Sequence, residues 1–322
     1  MEIRYQNQLT LLLNRIIFIF CFTLSVACNL HAQCLSSVNP VGGTESLLLM
    51  EKNTLRFISF YKHGGGHQYF SGDEHAEFNL IDRSKYNYIA TNMGCGITRK
   101  ITIETEMGYY LDKTQFYNVV PGYSLKGHGF SNLVLLGKVN LYTNHVKRKY
   151  LSLAAGPKIP FSREMKQDDN VELPIDLQPS AGSFGWVVST SFVKESPAYG
   201  IRFFLTNRSE INGTNKKGYQ PGNIFFTSFY FSKHLMFPWL KGDWTSILQI
   251  RNETRMQDRL NGNIKSSSGG TIFYLVPQVN YFAFEKWNLS AMVDIPLYQY
   301  FKGTQMGAGH SFTFVLARTF KF

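Results

Sequence analysis

The final stretch of the sequence, Gly309–Phe322, alternates apolar and polar residues with a period of two. The apolar parity holds Phe312, Phe314, Leu316, Phe320 and Phe322, and the polar parity holds Ser311, Thr313, Thr319 and Lys321. Alternation over this length predicts a long strand with one apolar and one wetter face. Arg318 falls on the apolar parity. We expect it near a membrane rim, where a charge costs about 0–1 kcal/mol instead of about 2–4 kcal/mol at the midplane.

The same period recurs along the chain, most clearly between Ile101 and Leu111, where apolar residues oppose Thr102, Glu104 and Glu106. The sequence contains about 12 such segments. Connections after odd-numbered segments are mostly long and polar, whereas those after even-numbered segments are short. Transmembrane barrels have short periplasmic turns, long outer loops and an even strand number. A secreted β-sandwich has no reason to alternate its loops in this way.

The sequence therefore predicts an all-β fold, a transmembrane antiparallel up-and-down β-barrel of about 12 strands. Both termini of the chain are expected on the periplasmic side. Pro157, Pro277 and Pro296 fall within predicted strands. Because proline cannot donate to a ladder, bulges or locally broken pairing are expected beside them.

The first 32 residues predict a secretory signal. Arg4 and Arg15 precede the apolar run 16–22, and cleavage is expected after Ala32. Lipidation at Cys28 and a retained membrane anchor are the less favoured alternatives. The predicted organisation is thus a signal peptide at 1–32, a short periplasmic segment at 33–53 and an outer-membrane barrel at 54–322. Cys34 and Cys95 are the cysteines left after cleavage, and pairing between them stays open.

The chain carries a net charge of +11. Its Lys and Arg residues are scattered and the protein is predicted to be exported, so outer-membrane lipids and lipopolysaccharide are the expected partners and nucleic acid is not. The aromatic-ended strand closing on Phe322 is typical of outer-membrane barrels and predicts contact with the barrel-assembly machinery. No cofactor is expected.

Charged and polar residues on the inner parities are the candidate site. They are predicted to line the lumen, because polar lumens are normal for these barrels. The candidates are Arg56, Glu104, Glu106, Lys138, Lys158, Arg202, Arg251, Glu253 and Asp294. Such a network of mixed charges can select or repel a permeating solute. Acid/base catalysis by Glu104 and Glu106 is the less favoured interpretation.

Two other constellations offer chemistry. His63, His67 and His75 surround Gly64–Gly66 in what we predict to be the first outer loop, and imidazoles there would suit a transition metal. Solvated histidines in a loop are the plainer interpretation. A lipid hydrolase would need a Ser–His pair at a membrane rim. His310 and Ser311 lie on opposite faces of one predicted strand, so they do not form that pair alone.

Several short motifs occur in a fixed order along most of the barrel region. They are Gly156-Pro157-Lys158-Ile159-Pro160, Leu177-Gln178-Pro179-Ser180-Ala181-Gly182-Ser183, Val276-Pro277-Gln278-Val279-Asn280-Tyr281, Ile295-Pro296-Leu297-Tyr298-Gln299 and Gly303-Thr304-Gln305. In this order they resemble the outer-membrane barrel family named after the meta-pathway of phenol degradation, which is related in spirit to the FadL-type channels for hydrophobic compounds. The signal ending in His31-Ala32-Gln33-Cys34 resembles Bacteroidota exports. The resemblance implies an outer-membrane location and a transport role, and it brings no catalytic residue.

The function predicted is that of a passive channel or transporter, not an enzyme, for a small solute, with hydrophobic and aromatic compounds as the candidates. A barrel whose outer loops bind a ligand or metal without transport is the alternative. An outer-membrane hydrolase is less favoured still.

Overall fold

A computed structural model describes residues 50–78, 80–118, 120, 122–168, 171–236, 242–283 and 287–322. Twelve long strands form its wall. They are β1 (Thr54–Gly66), β2 (Ile81–Gly96), β3 (Ile101–Tyr117), β4 (Asn132–Asn144), β5 (Lys149–Pro160), β6 (Gly185–Ser196), β7 (Ile201–Asn212), β8 (Ile224–Leu235), β9 (Asp243–Arg255), β10 (Gly270–Ala283), β11 (Trp287–Met306) and β12 (Ser311–Lys321). The predicted signal peptide and the predicted periplasmic segment as far as residue 49 lie outside the described residues, as does Cys34.

Each strand pairs antiparallel with its neighbours in chain order, and β12 returns to pair with β1, from Thr54 opposite Lys321 to Gly64 opposite Ser311. The sheet is therefore a closed up-and-down barrel of 12 strands, which confirms the predicted fold class. Closure gives every strand two partners and leaves no long free edge.

Shorter elements decorate the connections. The small strands are Tyr69–Gly72, Glu74–Ala76, Ser124–Phe130, Gln167–Asp168, Val171–Glu172, Tyr219–Gln220, Arg259–Leu260 and Asn263–Ile264, and the 3₁₀ turns are Ile175–Leu177 and Pro197–Tyr199. None of the described residues belongs to a helix long and apolar enough to cross a membrane.

The outer wall is apolar. Side chains on the outward parities remain exposed although they are large and hydrophobic. Examples from six strands are Ile103, Leu135, Trp186, Leu248, Leu289 and Phe314, which are 50%, 39%, 52%, 41%, 42% and 58% exposed. Inward neighbours such as Val187 and Val276 are 0% exposed. A water-soluble sandwich would bury the first set, whereas a barrel presents it to lipid.

The two ends of the barrel differ. We call the end that carries the links 67–80, 118–131, 161–184, 213–223 and 256–269 the long-loop end, and the opposite end the short-turn end. The link 307–310 is short although it lies at the long-loop end. Here β11 extends far beyond the wall, and Phe301–Met306 pair with Tyr69–Gly72. The short strand Tyr69–Gly72, paired with this extension of β11, thus takes the place that a long link has elsewhere at this end.

The glycine run Gly64–Gly66 corrects one prediction. It was expected in the first outer loop but forms the end of β1, paired with Ser84–Tyr86 of β2. A Cβ atom at Gly64 would lie 2.7 Å from the Tyr86 hydroxyl and 2.7 Å from Cβ of Ser311. Glycine is needed here because the Tyr86 ring fills the space beside the strand.

Pairing is disturbed next to the three strand prolines, as expected, and beside Pro277 the β10–β11 ladder passes from the pair Leu275–Ile295 to the pair Gln278–Met292. At Pro296 the β10–β11 register shifts between Phe273 and Tyr274. Next to Pro157 the β4–β5 ladder passes from the pair Val134–Lys158 to the pair Gly137–Ala155. Lost or shifted pairing at these points follows from the missing proline N–H.

Arg318 lies on the outward face near the short-turn end of β12, opposite Phe57 and Trp287. Its guanidinium carbon lies 4.7 Å from the Trp287 ring centre and 4.5 Å from that of Phe320. Stacking on two rings at the rim offsets part of the cost of a charge on an apolar wall.

The depth of the apolar wall can be tested by substitution. Leu316 is 41% exposed and lies between Ser59 and Leu289. We expect Leu316→Arg to lower the free energy of unfolding by about 2–4 kcal/mol, and Leu55→Arg, near the end of β1, by only about 0–1 kcal/mol. Urea unfolding in phosphatidylcholine vesicles measures both. Equal losses would contradict a membrane-spanning outer wall.

Candidate functional site

The lumen of the barrel is the candidate site, because the inward parities bring charged side chains together there. Six of the predicted residues are buried, namely Glu106, Lys138, Lys158, Arg251, Glu253 and Asp294. The Glu104 side chain is 15% exposed. Arg56 is half-buried. The Arg202 side chain is 54% exposed and pairs with Glu195 at 3.1 Å, at the short-turn end of β6 and β7.

The first buried cluster is centred on Arg208 of β7. Its Nη1 and Nη2 atoms donate to the two carboxylate oxygens of Glu106 at 2.9 and 2.8 Å. Its Nε donates to Glu210 at 3.0 Å, and Lys158 Nζ donates to the second oxygen of Glu210 at 2.7 Å. We call these four residues the Arg208 network. Two cations and two carboxylates compensate each other, and the Arg–Glu contact is bidentate, the strongest geometry for such a pair.

The Glu106–Arg208 contact crosses the lumen. Glu106 lies on β3 and Arg208 on β7, four ladder steps apart. Neighbouring strands are about 4.8 Å apart, so the two strands are separated by about 19 Å along the wall. Side chains that meet at 2.8 Å must therefore extend from the wall toward each other through the interior. The pair forms a bridge inside the barrel.

The second buried cluster is centred on Asp294 of β11. Its carboxylate accepts hydrogen bonds from Lys62 of β1 at 2.6 Å, from Ser311 of β12 at 2.9 Å and from Arg251 of β9 at 3.1 Å. The Arg251 guanidinium also stacks over Tyr274 at 4.4 Å. We call Asp294, Lys62, Arg251 and Ser311 the Asp294 network. It ties β9 and β11 to both strands of the β12–β1 seam.

Three charged members of these networks, Lys62, Arg208 and Glu210, are absent from the sequence-based lumen candidates. The signal for the last two was present, since the inward alternation of β7 that begins with Arg202 and Thr206 continues to Arg208 and Glu210. Lys62 likewise shares the inward parity of Arg56. Parity alone does not reveal which partner a charge finds across the lumen.

The Glu106–Arg208 bridge lies between two cavities. The outer chamber, of about 160 Å³, extends toward the long loops and is lined by residues that include Tyr88, Tyr110 and Ser180. The inner chamber, of about 60 Å³, extends toward the short turns and is lined by residues that include Met50 and Lys138.

The linings of the two chambers meet at Asn92, Glu106 and Arg208, which belong to both. Along β2, Tyr88 faces the outer chamber and Gly94 the inner one, and Asn92 lies between them. The lining changes from one chamber to the other at the bridge.

Met50 lines the inner chamber near the short-turn end. It is 5% exposed, and a Cβ atom at Gly94 would lie 2.7 Å from its sulfur. The Lys138–Glu104 pair, 2.8 Å apart, lines the same chamber. The glycine therefore creates the space into which the methionine side chain inserts.

The long loops cover the outer chamber, and we call their buried residues Leu177, Gln178, Tyr219, Asp258 and Ser268 the loop cap. Lys113 Nζ of β3 donates to the backbone carbonyl of Gln178 at 2.9 Å, which ties the cap to the wall. Asp258 is 1% exposed and accepts hydrogen bonds from the Tyr219 hydroxyl, from the Gly222 backbone N–H at 2.8 Å and from Arg255 at 2.7 Å. Asp258 therefore joins two separate loops.

Burial, and after it the Asp258 carboxylate, raises the pKa of the Tyr219 phenol above its usual value. The hydroxyl accordingly stays protonated over the physiological range and remains a donor to Asp258. Titration of the Tyr219 hydroxyl therefore does not break the contact between the two loops in this pH range.

The structure does not group the side chains of His63, His67 and His75. His63 belongs to β1, where its Nδ1 lies 2.8 Å from Asn87 Oδ1, and His75 stacks on Phe70 with ring centres 4.6 Å apart. Within the described part of the chain, which includes His67, no group of three or more His, Cys, Asp or Glu side chains is placed to hold a metal ion. The extension of β1 through the glycine run keeps His63 in the wall.

Ser311, considered above for a hydrolase, points inward and donates to Asp294 at 2.9 Å. Its hydroxyl is thus part of the Asp294 network.

Comparison with known proteins supports the fold. No family model and no curated protein matches the chain. An outer membrane channel from Pseudomonas putida F1 has a similar structure, with a TM-score of 0.67 at 10% identity over 86% of this chain and 98% of that one. A Pseudomonas aeruginosa FadL homologue matches with a TM-score of 0.41 at 8% identity over 90% of this chain and 100% of that one.

The beta domain of the Bordetella autotransporter BrkA matches with a TM-score of 0.46 at 10% identity over 84% of this chain and 100% of that one. The last two similarities are too low to carry an argument. The fold is that of an outer-membrane β-barrel. The apolar outer wall is consistent with that membrane as its location.

The Asp294 network should be needed for stability. Asp294→Asn leaves Lys62 and Arg251 without their common counter-charge, and we expect a loss of roughly 3–5 kcal/mol in the free energy of unfolding. The control is Glu51→Gln, which removes a pair with Lys321 whose side chains are 76% and 73% exposed. That change should cost below about 1 kcal/mol. Urea unfolding in vesicles that gave similar losses for both would argue against the network's role.

The link between the loops can be tested separately. Tyr219→Phe removes a hydrogen bond to a buried carboxylate, worth about 1.5–3 kcal/mol. We expect backbone amides of 215–222 and 256–268 to exchange hydrogen roughly tenfold faster or more. The control is Tyr298→Phe, whose hydroxyl donates to Asp73 at 3.4 Å and which is 45% exposed. Unchanged exchange in Tyr219→Phe would exclude this link.

Proposed function

We propose that the protein is a passive channel of the outer membrane for small solutes, with the Glu106–Arg208 bridge as the gate between its two chambers. The observation that carries the proposal is that Asn92, Glu106 and Arg208 line both chambers. A solute that passes from the loop cap to the short-turn end must cross this layer. The long loops then face the outside and the short turns face the periplasm, as in barrels of this class.

The bridge makes the resting channel tight. Removing one partner of a buried ion pair costs about 3–5 kcal/mol because a charge remains uncompensated. Each 1.4 kcal/mol is a factor of ten in population. An open state that fully separates Glu106 from Arg208 would therefore hold roughly one molecule in a hundred to one in ten thousand. Retention of Glu210 by Arg208 during opening would lower that cost, since the guanidinium keeps one carboxylate.

The outer chamber suits a small solute with an apolar part. Its volume of about 160 Å³ is comparable to that of an engineered cavity of about 150 Å³ that binds benzene. Tyr88 and Tyr110 supply rings, while Arg208 and Lys158 supply charges. This combination supports a small solute of the hydrophobic or aromatic kind predicted from the motifs. Membership of the meta-pathway family belongs to the same proposal.

The proposed function also includes export directed by residues 1–32 and assembly through the strand that ends at Phe322. Both remain predictions from the sequence. The lumen-lining roles of Arg56, Lys138 and Arg251 are proposed on the same basis.

Ion conductance of the refolded protein in planar bilayers tests the gate. Glu106→Gln leaves Arg208 with one carboxylate partner and should raise the open fraction roughly tenfold or more, with a shift toward anions. Arg208→Gln leaves the Glu106 carboxylate without a cation, while Glu210 keeps Lys158, and the resulting net negative charge should shift selectivity toward cations. The double variant Glu106→Gln/Arg208→Gln keeps the net charge, so its conductance should rise with little change in selectivity.

The matched control is Glu195→Gln/Arg202→Gln, which removes the exposed ion pair at the short-turn end and should leave conductance unchanged. Circular dichroism establishes that each variant retains its strand content. Bilayers that stay tight for the wild type and for all three gate variants would contradict the channel. A rise in the control as large as in the gate double variant would contradict the assignment of the gate.

A further inference from the structure

A cluster of cations lies on the outer surface of the wall at the long-loop end. It consists of Arg83 and Lys85 on β2 and Lys126 on the short strand Ser124–Phe130, which pairs with β3. All three are exposed. We call this cluster the rim cations. They are separate from the Arg208 and Asp294 networks, which lie inside the lumen.

The strand register places the rim cations on one face. Lys85 is opposite Thr114, and Thr114 is opposite Lys126 on its other side. Arg83 is opposite Phe116 in the next row. Directly opposed residues of an antiparallel sheet point to the same side. The three cations therefore surround two adjacent rows of one continuous surface.

The Phe116 ring organises the cluster. The Arg83 guanidinium carbon lies 4.6 Å from the ring centre, and Lys85 Nζ lies 5.4 Å from it. Cations within about 6 Å of a ring face are attracted to it. In the described part of the chain the one carboxylate within ion-pair distance of the three cations is Asp82, 3.8 Å from Arg83, and both side chains are more than half exposed. The cluster thus keeps a positive excess.

The level of the cluster on the wall follows from β2. Ile89, on the outward face, is 42% exposed and lies opposite Tyr61. The next outward position is Asn87, which accepts a hydrogen bond from the Tyr61 hydroxyl at 2.6 Å. Lys85 and Arg83 follow. The outward face changes from apolar to polar and then to cationic in steps of two residues, which is the order expected across a membrane boundary from hydrocarbon to headgroups.

We propose that Arg83, Lys85 and Lys126 bind the phosphate groups of lipopolysaccharide in the outer leaflet, with Phe116 in contact with the glycolipid beside them. The proposal depends on the outward orientation of the long loops given under the proposed function, and it is independent of transport. Three cations held at fixed spacing on paired strands suit a headgroup that carries several anionic oxygens. The headgroup level is where such phosphates lie.

Thermal unfolding of the refolded full chain in detergent, titrated with lipid A that carries its phosphates, tests the proposal. The triple variant Arg83→Gln/Lys85→Gln/Lys126→Gln should bind this lipid roughly 100-fold more weakly than the wild type, because each of the three cations near a lipid surface contributes about fivefold. Its control is Arg99→Gln/Lys100→Gln/Lys147→Gln, which removes three exposed cations at the short-turn end and should bind as the wild type does.

Two further ligands distinguish binding of the lipid phosphates from binding of the acyl chains and from binding of free phosphate. Dephosphorylated lipid A should give no shift that depends on the rim cations, and inorganic pyrophosphate should bind far more weakly than phosphorylated lipid A. Equal binding of phosphorylated lipid A by the triple variant and the wild type would overturn the proposal. Dephosphorylated lipid A that bound the wild type as tightly as phosphorylated lipid A would also overturn it, because the affinity would then come from the acyl chains. Pyrophosphate that bound as tightly as phosphorylated lipid A would overturn it too, because the site would then be one for free phosphate. These titrations measure lipid binding alone, so a failure of the proposed channel to conduct would not change their outcome.

Discussion

The structure depends on the compensation of charge inside a closed barrel. The ladder satisfies the backbone of all twelve strands, but the inward parities still carry cations and carboxylates that are removed from bulk water. An isolated charge there would be costly, and pairing removes most of that cost. The Arg208 and Asp294 networks achieve this by joining strands that are not neighbours in the ladder. Charge compensation thus also links distant parts of the wall across the lumen.

Packed aromatic rings fill much of the remaining interior, and their packing depends on glycines in the neighbouring strands. A Cβ atom at Gly108 would lie 1.9 Å from the Tyr88 hydroxyl, so that ring can lie flat against β3 only because the side chain is missing. The Tyr88 ring in turn lies 4.7 Å from that of Tyr110. Rings and ion pairs together leave only the small chambers described above. A lumen filled in this way differs from the wide aqueous interior of barrels with many more strands.

The sequence was sufficient for the wall but not for the contacts inside it. Period-two alternation predicted which side of a strand faces outward wherever the two parities differ in polarity, as in Ile101–Leu111, because lipid and lumen impose opposite polarity on successive residues. It did not predict that Gly64–Gly66 would be a strand, since a glycine run carries no polarity pattern and its pairing is decided by the Tyr86 side chain. Nor did it indicate the partner of Arg208. Glu106 is distant in sequence, and the two side chains meet because closure of the barrel places their strands on different sides of the lumen.

The two networks are not equivalent, although both span four ladder steps. Asp294, Lys62 and Arg251 line neither chamber, and they join the strands on both sides of the β12–β1 seam. Their geometry suits a permanent tie, because opening it would free three buried charged groups at once without creating a path. Glu106 and Arg208 line both chambers, and Glu210 remains as a second partner for the guanidinium. Arg208 can therefore release Glu106 while staying paired, and this is why we assign movement to the Arg208 network and rigidity to the Asp294 network.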